Sequence, residues 1–133
     1  MMITTTGRNA LKVMVDLAQH EGEGFISLGD VAQRQNESLK YLEASAKQLS
    51  ASGFVVSARG KSGGYKLARP AREYTVAEIL LSGEGSLAPV HCLEDGAAPC
   101  ENACNCSTLP LFKELDEVIM SFLKSKLLTD LVK

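Results

Sequence analysis

Residues 27–67 constrain the fold more than any other stretch, because two short helical patterns around a two-residue turn run directly into a β-type run broken by glycines. In SLGDVAQRQNES, Ser27 stands three residues before Asp30, an aspartate version of the capping box, and Leu28, Val31 and Ala32 support a short helix. After the turn at Asn36-Glu37, Ser38 is placed to cap SLKYLEASAKQLSASG. There Leu39, Leu42, Ala46 and Leu49 form an apolar stripe that ends before Gly53. Lys40, Tyr41, Glu43, Ala44, Lys47 and Gln48 occupy the opposite face. The following FVVSARGKSGGYKLARP joins a β-branched and aromatic run to a glycine-rich basic turn and a Tyr65–Leu67 return, the pattern of a two-stranded hairpin.

A helix, a tight turn, a polar-faced helix and a basic hairpin together describe a winged helix-turn-helix, in which the second helix enters the DNA major groove. An earlier helix precedes them, with Leu11, Met14, Val15 and Ala18 at helical spacing behind threonines that can cap and before a glycine-rich stop. Charge supports a partner touched on one face. Residues 1–75 carry a balance of +3 and residues 76–133 one of −5, within a net charge of −2. Between residues 54 and 72, Arg59, Lys61, Lys66, Arg69 and Arg72 meet no acidic residue.

Beyond the hairpin, TVAEILLS predicts one short helix, GEGSLAPV reads as a linker, and STLPLFKELDEVIMSFLKSKLLTDLVK predicts a long helix with Ser107 or Thr108 as cap and Pro110 near its start. Leu111, Leu115, Val118 and Phe122 form one stripe, which Phe112, Ile119 and Leu123 widen. Such a helix of about 20 residues is about 30 Å long, more than so small a domain covers. A second copy of the chain is the economical partner, and packing on the chain's own first helix is the alternative. The expected class is mainly α with a small β-hairpin. Residues 1–82 form the winged helix-turn-helix, 83–106 the linker and cysteine-rich sensor loop, and 107–133 the dimerisation helix. With 133 residues, no bilayer-length apolar run and no targeting pattern, the chain reads as cytoplasmic and without a membrane partner.

All four cysteines fall in HCLEDGAAPCENACNC, at positions 92, 100, 104 and 106. In a reducing compartment such a group is metal-binding or redox-active more often than a disulfide framework. Zinc prefers close C-x2-C pairs, and only Cys104 and Cys106 are close, at an awkward spacing. An iron–sulfur cluster accepts thiolates spread along an irregular loop, and Cys106 precedes a helix N-terminus, which favours its thiolate. A thiol–disulfide switch is the main rival. No glycine-rich phosphate loop is present and the two histidines suggest no nucleophile–base pair, so the chain is not read as an enzyme.

Taken together, ITTTGRNALKVMVDLA, SLKYLEASAKQL, RGKSGGYKLARP, GSLAPVHCL and a cysteine loop running into a final helix resemble the family of winged-helix regulators that includes IscR, NsrR and CymR. The resemblance implies a homodimeric regulator, usually a repressor, on a palindromic double-stranded operator. It also implies an iron–sulfur cluster, 2Fe–2S or 4Fe–4S, ligated by Cys92, Cys100 and Cys106, with Cys104 as an extra thiol. Neither known fourth ligand carries over: Leu109 stands where the IscR-like pattern has histidine, and Arg8 where the NsrR-like pattern has aspartate. Cys104, His91 or a small exogenous ligand remain to complete such a site. The CymR-like branch lacks the cysteine cluster and represents the alternative without a cofactor. On this reading Ser38, Lys40, Tyr41 and Ala44 face bases, and Arg59 and Lys61 meet phosphate or the minor groove.

Overall fold

The computed structural model describes residues 3–94 and 106–132. Among them are α1 (Thr5–Gln19), α2 (Leu28–Gln35), α3 (Leu39–Ala51), β1 (Val55–Ala58), β2 (Gly64–Leu67), α4 (Val76–Glu84) and α5 (Leu109–Ser125), with short 3-10 turns at Ala71–Glu73, His91–Leu93 and Leu128–Leu131. No helix among the described residues is long and apolar enough to cross a membrane.

Helix α1 is the hub. Its Ala10, Val13, Met14 and Leu17 are buried against Leu28 and Val31 of α2, Leu42, Ala46 and Leu49 of α3, Val55 of β1 and Ile79 of α4. The i, i+3, i+4 spacing of these residues puts them on one face, and their removal from water is the main force holding α3 in place. Ser27 caps α2 as its spacing requires, accepting from the Asp30 N–H at 3.1 Å. Asn36 then takes the left-handed conformation (φ 54°) that turns the chain from α2 into α3. Leu39, expected on the buried stripe of α3, is instead exposed, because it occupies the first helical position at the margin of that stripe.

One buried charge fixes how α2 sits on α1. Asp16 accepts from Arg34 Nε at 3.0 Å, from Arg34 Nη2 at 2.6 Å and from Gln35 Nε2 at 3.2 Å. Burial raises its pKa, and the hydrogen bonds from Arg34 and Gln35, with the charges of Arg34 and His20, more than offset that, so the carboxyl lies below its ordinary value. A depressed carboxyl contributes stability above its unfolded-state value and loses it as pH falls through the folded one. Asp16→Asn is therefore expected to lower stability by about 2 kcal/mol at neutral pH. In urea titrations the gap from the wild type closes below about pH 4; a gap that stays constant down to pH 3 contradicts this account.

The wing is anchored at both ends. β1 and β2 pair antiparallel in the register Val55↔Leu67 to Ala58↔Gly64, and Ile26, ahead of α2, adds a bridge to Tyr65 with N···O distances of 2.9 and 2.8 Å. Gly64, at φ 151°, lies so close to the Ile26 carbonyl that a side chain there would collide. Tyr74 closes the base: its hydroxyl donates to the Phe54 carbonyl (2.7 Å) and accepts from the Arg69 N–H (3.1 Å). Its ring meets Phe54 edge-on at 5.7 Å, and the Arg69 guanidinium lies 4.4 Å from its centre.

Residues 83–90 and the C-terminal tail differ from their sequence pattern. α4 continues through Gly83 and Glu84, where a linker was expected, because Gly83 packs on Gly7 of α1 so closely that an added Cβ would come within 2.9 Å of its Cα. Leu87 is buried against Val76 and Leu80. α5 ends at Ser125 rather than continuing to the C-terminus. The chain then pairs with residues 74–76, through Val76 N–H to Lys126 O and Leu128 N–H to Tyr74 O, both 2.9 Å, and inserts Leu128 into the main core.

Candidate functional site

With its apolar side locked onto α1, α3 leaves Ser38, Lys40, Tyr41 and Ala44 exposed, with Tyr41 at 61%. Ser38 is the N-cap residue, yet its side chain makes no capping hydrogen bond. Its hydroxyl is thus not used by the helix that follows. Arg59 and Lys61 stand exposed on the turn between β1 and β2, with no ion-pair partner among the described residues. Arg69, part of the same basic run in the sequence, is taken up structurally: it pairs with Glu78 at 3.3 Å and stacks on Tyr74. Its pKa is raised, first by its hydrogen bond to Tyr74 and then by Glu78. The basic run is therefore not a uniform strip, because one of its charges stays at the base of the hairpin.

Of the four cysteines, Cys92 and Cys106 are described, and Cys100 and Cys104 lie outside the described residues. Cys92 is exposed in the His91–Leu93 turn, and Cys106 is half-buried just before α5; both are free thiols. Cys106 Sγ lies 3.3 Å from the Thr108 hydroxyl. That hydrogen bond, followed by the backbone N–H groups of Thr108 and Leu109, holds the thiol below its ordinary pKa. Thr108 is the N-cap of α5, but it gives its side chain to this sulfur instead of to the helix. His91 Nδ1 is 3.0 Å from Glu94 Oε2, so one ring nitrogen is engaged and the other meets no partner among the described residues. Leu109 opens α5 and Arg8 is exposed on α1; neither side chain is a metal donor. No group of three metal-ligating side chains converges among the described residues.

Two features of this region carry no local motif. Glu84, at the end of α4, accepts from the Thr4 N–H (2.7 Å) and the Thr4 hydroxyl (2.9 Å), so an acid from a distant helix sits at the start of α1 where the dipole favours it. Nearby, Ser45 of α3 is buried and donates to the Thr6 carbonyl at 3.3 Å, tying the exposed helix to the first turn of α1. The only hint in the sequence is negative: a serine on the apolar side of α3, and a glutamate inside what reads as a linker.

The Rrf2 family model, described as an iron-dependent transcriptional regulator, matches residues 3–133. IscR of Xenorhabdus nematophila is 40% identical over 133 residues, all of this chain and 80% of that protein, and IscR of Photorhabdus laumondii is 38% identical over 132 residues. Among solved structures, CymR of B. subtilis, titled a global cysteine regulator, aligns with a TM-score of 0.79 at 35% identity, covering 98% of this chain and 95% of that one. IscR of T. potens aligns at 0.77 and 33%, covering 98% and 85%. These relatives are named as transcriptional regulators and not as enzymes. The chain belongs to the Rrf2 family of DNA-binding transcriptional regulators.

Proposed function

We propose that the chain is a homodimeric repressor that reads a palindromic operator and reports iron–sulfur, redox or nitric-oxide status through a cluster on its loop cysteines. The observation that carries the reading half is the pairing of an exposed, rigidly backed α3 with a basic wing turn. Ser38, Lys40, Tyr41 and Ala44 meet base edges, and Arg59 and Lys61 meet phosphate or the minor groove. Residues 1–82 carry this function, 83–106 sense the signal, and 107–133 join two copies.

The donor chemistry supports a cluster. Cys92 and Cys106 are free and accessible, and Cys106 is biased toward the thiolate that ligation requires. Cys92, Cys100 and Cys106 are the proposed ligands, with Cys104, His91 or a small exogenous ligand as candidates for the fourth place. A bound 2Fe–2S or 4Fe–4S cluster supplies redox- and nitric-oxide-reactive iron between the reading domain and α5. The protein's own part is to couple that loop to α5 and, through Leu87 and α4, to the body of the domain. Cluster gain or loss then biases the dimer between DNA-competent and incompetent arrangements.

The outer stripe of α5 supports the dimer. Met120 and Leu123 pack on α4, but Leu111, Leu115, Val118 and Phe122 stay 41–65% exposed along about three turns of helix. A second reading, a thiol–disulfide switch without a cofactor, is favoured by a different observation: the oxidized form of Staphylococcus aureus CymR aligns over the whole chain with a TM-score of 0.78 at 30% identity.

Arg59→Ala tests the reading half. It is expected to weaken operator binding about tenfold at moderate salt and to flatten the slope of log K against log salt by about 1, since one phosphate neutralisation is lost. An unchanged affinity and slope would remove the wing from the interface.

A further inference from the structure

The first turn of α3 stands clear of the domain. Residues 38–41 are all exposed, whereas Leu42, Ala46 and Leu49 of the same helix are wholly buried. Leu39 lies three residues before Leu42, so it continues their apolar stripe, but about one turn beyond the surface that covers the rest. It is 44% exposed, at the end of the helix whose N-terminal residues contact base edges in a helix-turn-helix. Nothing around it repels DNA. The first turn of α3 contains no acidic residue, and Glu37, two residues ahead of Leu39, is held in an ion pair by Lys12 of α1. Ser38, beside it, leaves its hydroxyl unused by the helix.

A branched apolar side chain set among polar ones has a distinct match in the major groove. Base edges there present hydrogen-bond donors and acceptors, and the C5-methyl of thymine is the apolar group among them. We infer that Leu39 is a specificity-determining residue, seated on the thymine C5-methyl of one A·T pair in each half-site. In the free protein this leucine leaves apolar surface in water, and the contact removes both its surface and the methyl from water on binding. Ser38 and Lys40 on either side supply hydrogen bonds that several bases or a phosphate can accept, so the leucine is what distinguishes thymine from cytosine at that position. The burial of Leu42, Ala46 and Leu49 fixes how far Leu39 projects, because the stripe that anchors α3 is the one that Leu39 extends. The assignment rests on α3 being the reading helix.

The test uses the full-length protein and a duplex that it selects from a random-sequence pool. Each thymine of the half-sites is replaced in turn by uracil, which removes the methyl and keeps the hydrogen-bonding edge. At one thymine per half-site, uracil in both half-sites is expected to weaken wild-type binding about fifteenfold, about fourfold for each methyl no longer buried. Leu39→Ala is expected to bind the thymine duplex at least as weakly and to be indifferent to uracil at that position, so the two changes do not add. Its salt slope should match the wild type, because no charge is removed. Its thermal midpoint should stay level, since Leu39 lies outside the core cluster; a lowered midpoint with the uracil effect intact would make it a structural residue and overturn the contact. Lys40→Ala and Tyr41→Ala separate the two readings. If they lose duplex binding while no uracil position depends on Leu39, the thymine contact is wrong and the reading helix stands. If they and Leu39→Ala all bind as the wild type does, or if no duplex is selected from the pool, both assignments fall. Loss of binding by Leu39→Ala together with a change from dimer to monomer in sedimentation would place Leu39 between copies of the chain, which also overturns the contact.

Discussion

Cys92→Ala, Cys100→Ala and Cys106→Ala, reconstituted anaerobically, are each expected to emerge without iron or acid-labile sulfide, whereas the wild type and Cys104→Ala retain both. The effect is all or none, because a cluster held by three protein thiolates and one weaker donor does not survive loss of a thiolate. Cys106 is the most exposing test, since its surroundings favour the charged form of its thiol. Loss of the cluster in Cys104→Ala as well would place that residue as the fourth ligand. A wild type that never takes up iron and sulfide, but changes mobility on oxidation in a way that these substitutions abolish, would move the assignment to the thiol–disulfide switch.

A comparable loss is expected from the double substitution Val118→Glu and Phe122→Glu. These are the central and C-terminal members of the exposed stripe of α5, one helical turn apart. Two carboxylates on each of two facing helices would have to be buried or brought together, which costs several kcal/mol per interface. Sedimentation should report a monomer, and operator affinity should fall at least a hundredfold, since a single half-site contact replaces two. The monomer should stay folded, because Met120, Leu123 and Leu128 on the inner side and tail are untouched. A double variant that remains dimeric would show that α5 is not the joint.

Secondary structure was legible wherever a residue's neighbours in sequence are also its neighbours in space. Ser27 with Asp30, Asn36 at the turn, the stripe Leu42–Ala46–Leu49 and the glycines of the wing each act over four residues or fewer, and each is found as its pattern requires. Ser38 and Thr108 show the limit of that reasoning. Both occupy N-cap positions, but neither caps, and for Thr108 a sulfur two residues away makes the better hydrogen bond. The glutamate within GEGSLAPV carries the pattern of a linker because glycine signals a break, and no local rule says that Gly83 is needed to let α4 touch Gly7.

What the sequence determined by itself, then, is the order of helices, the wing, the grouping of all sulfur in one loop and the family to which these belong. Tertiary structure alone decided which of the basic residues is spent, since Arg69 is claimed by Tyr74 and Glu78 while Arg59 has no ion-pair partner among the described residues. It alone decided that the tail returns to bury Leu128 in the main core. The physical reason is the same in each case: periodicity and capping act along the chain, whereas desolvation and hydrogen-bond satisfaction depend on groups brought together only when α1, α3 and α4 have packed.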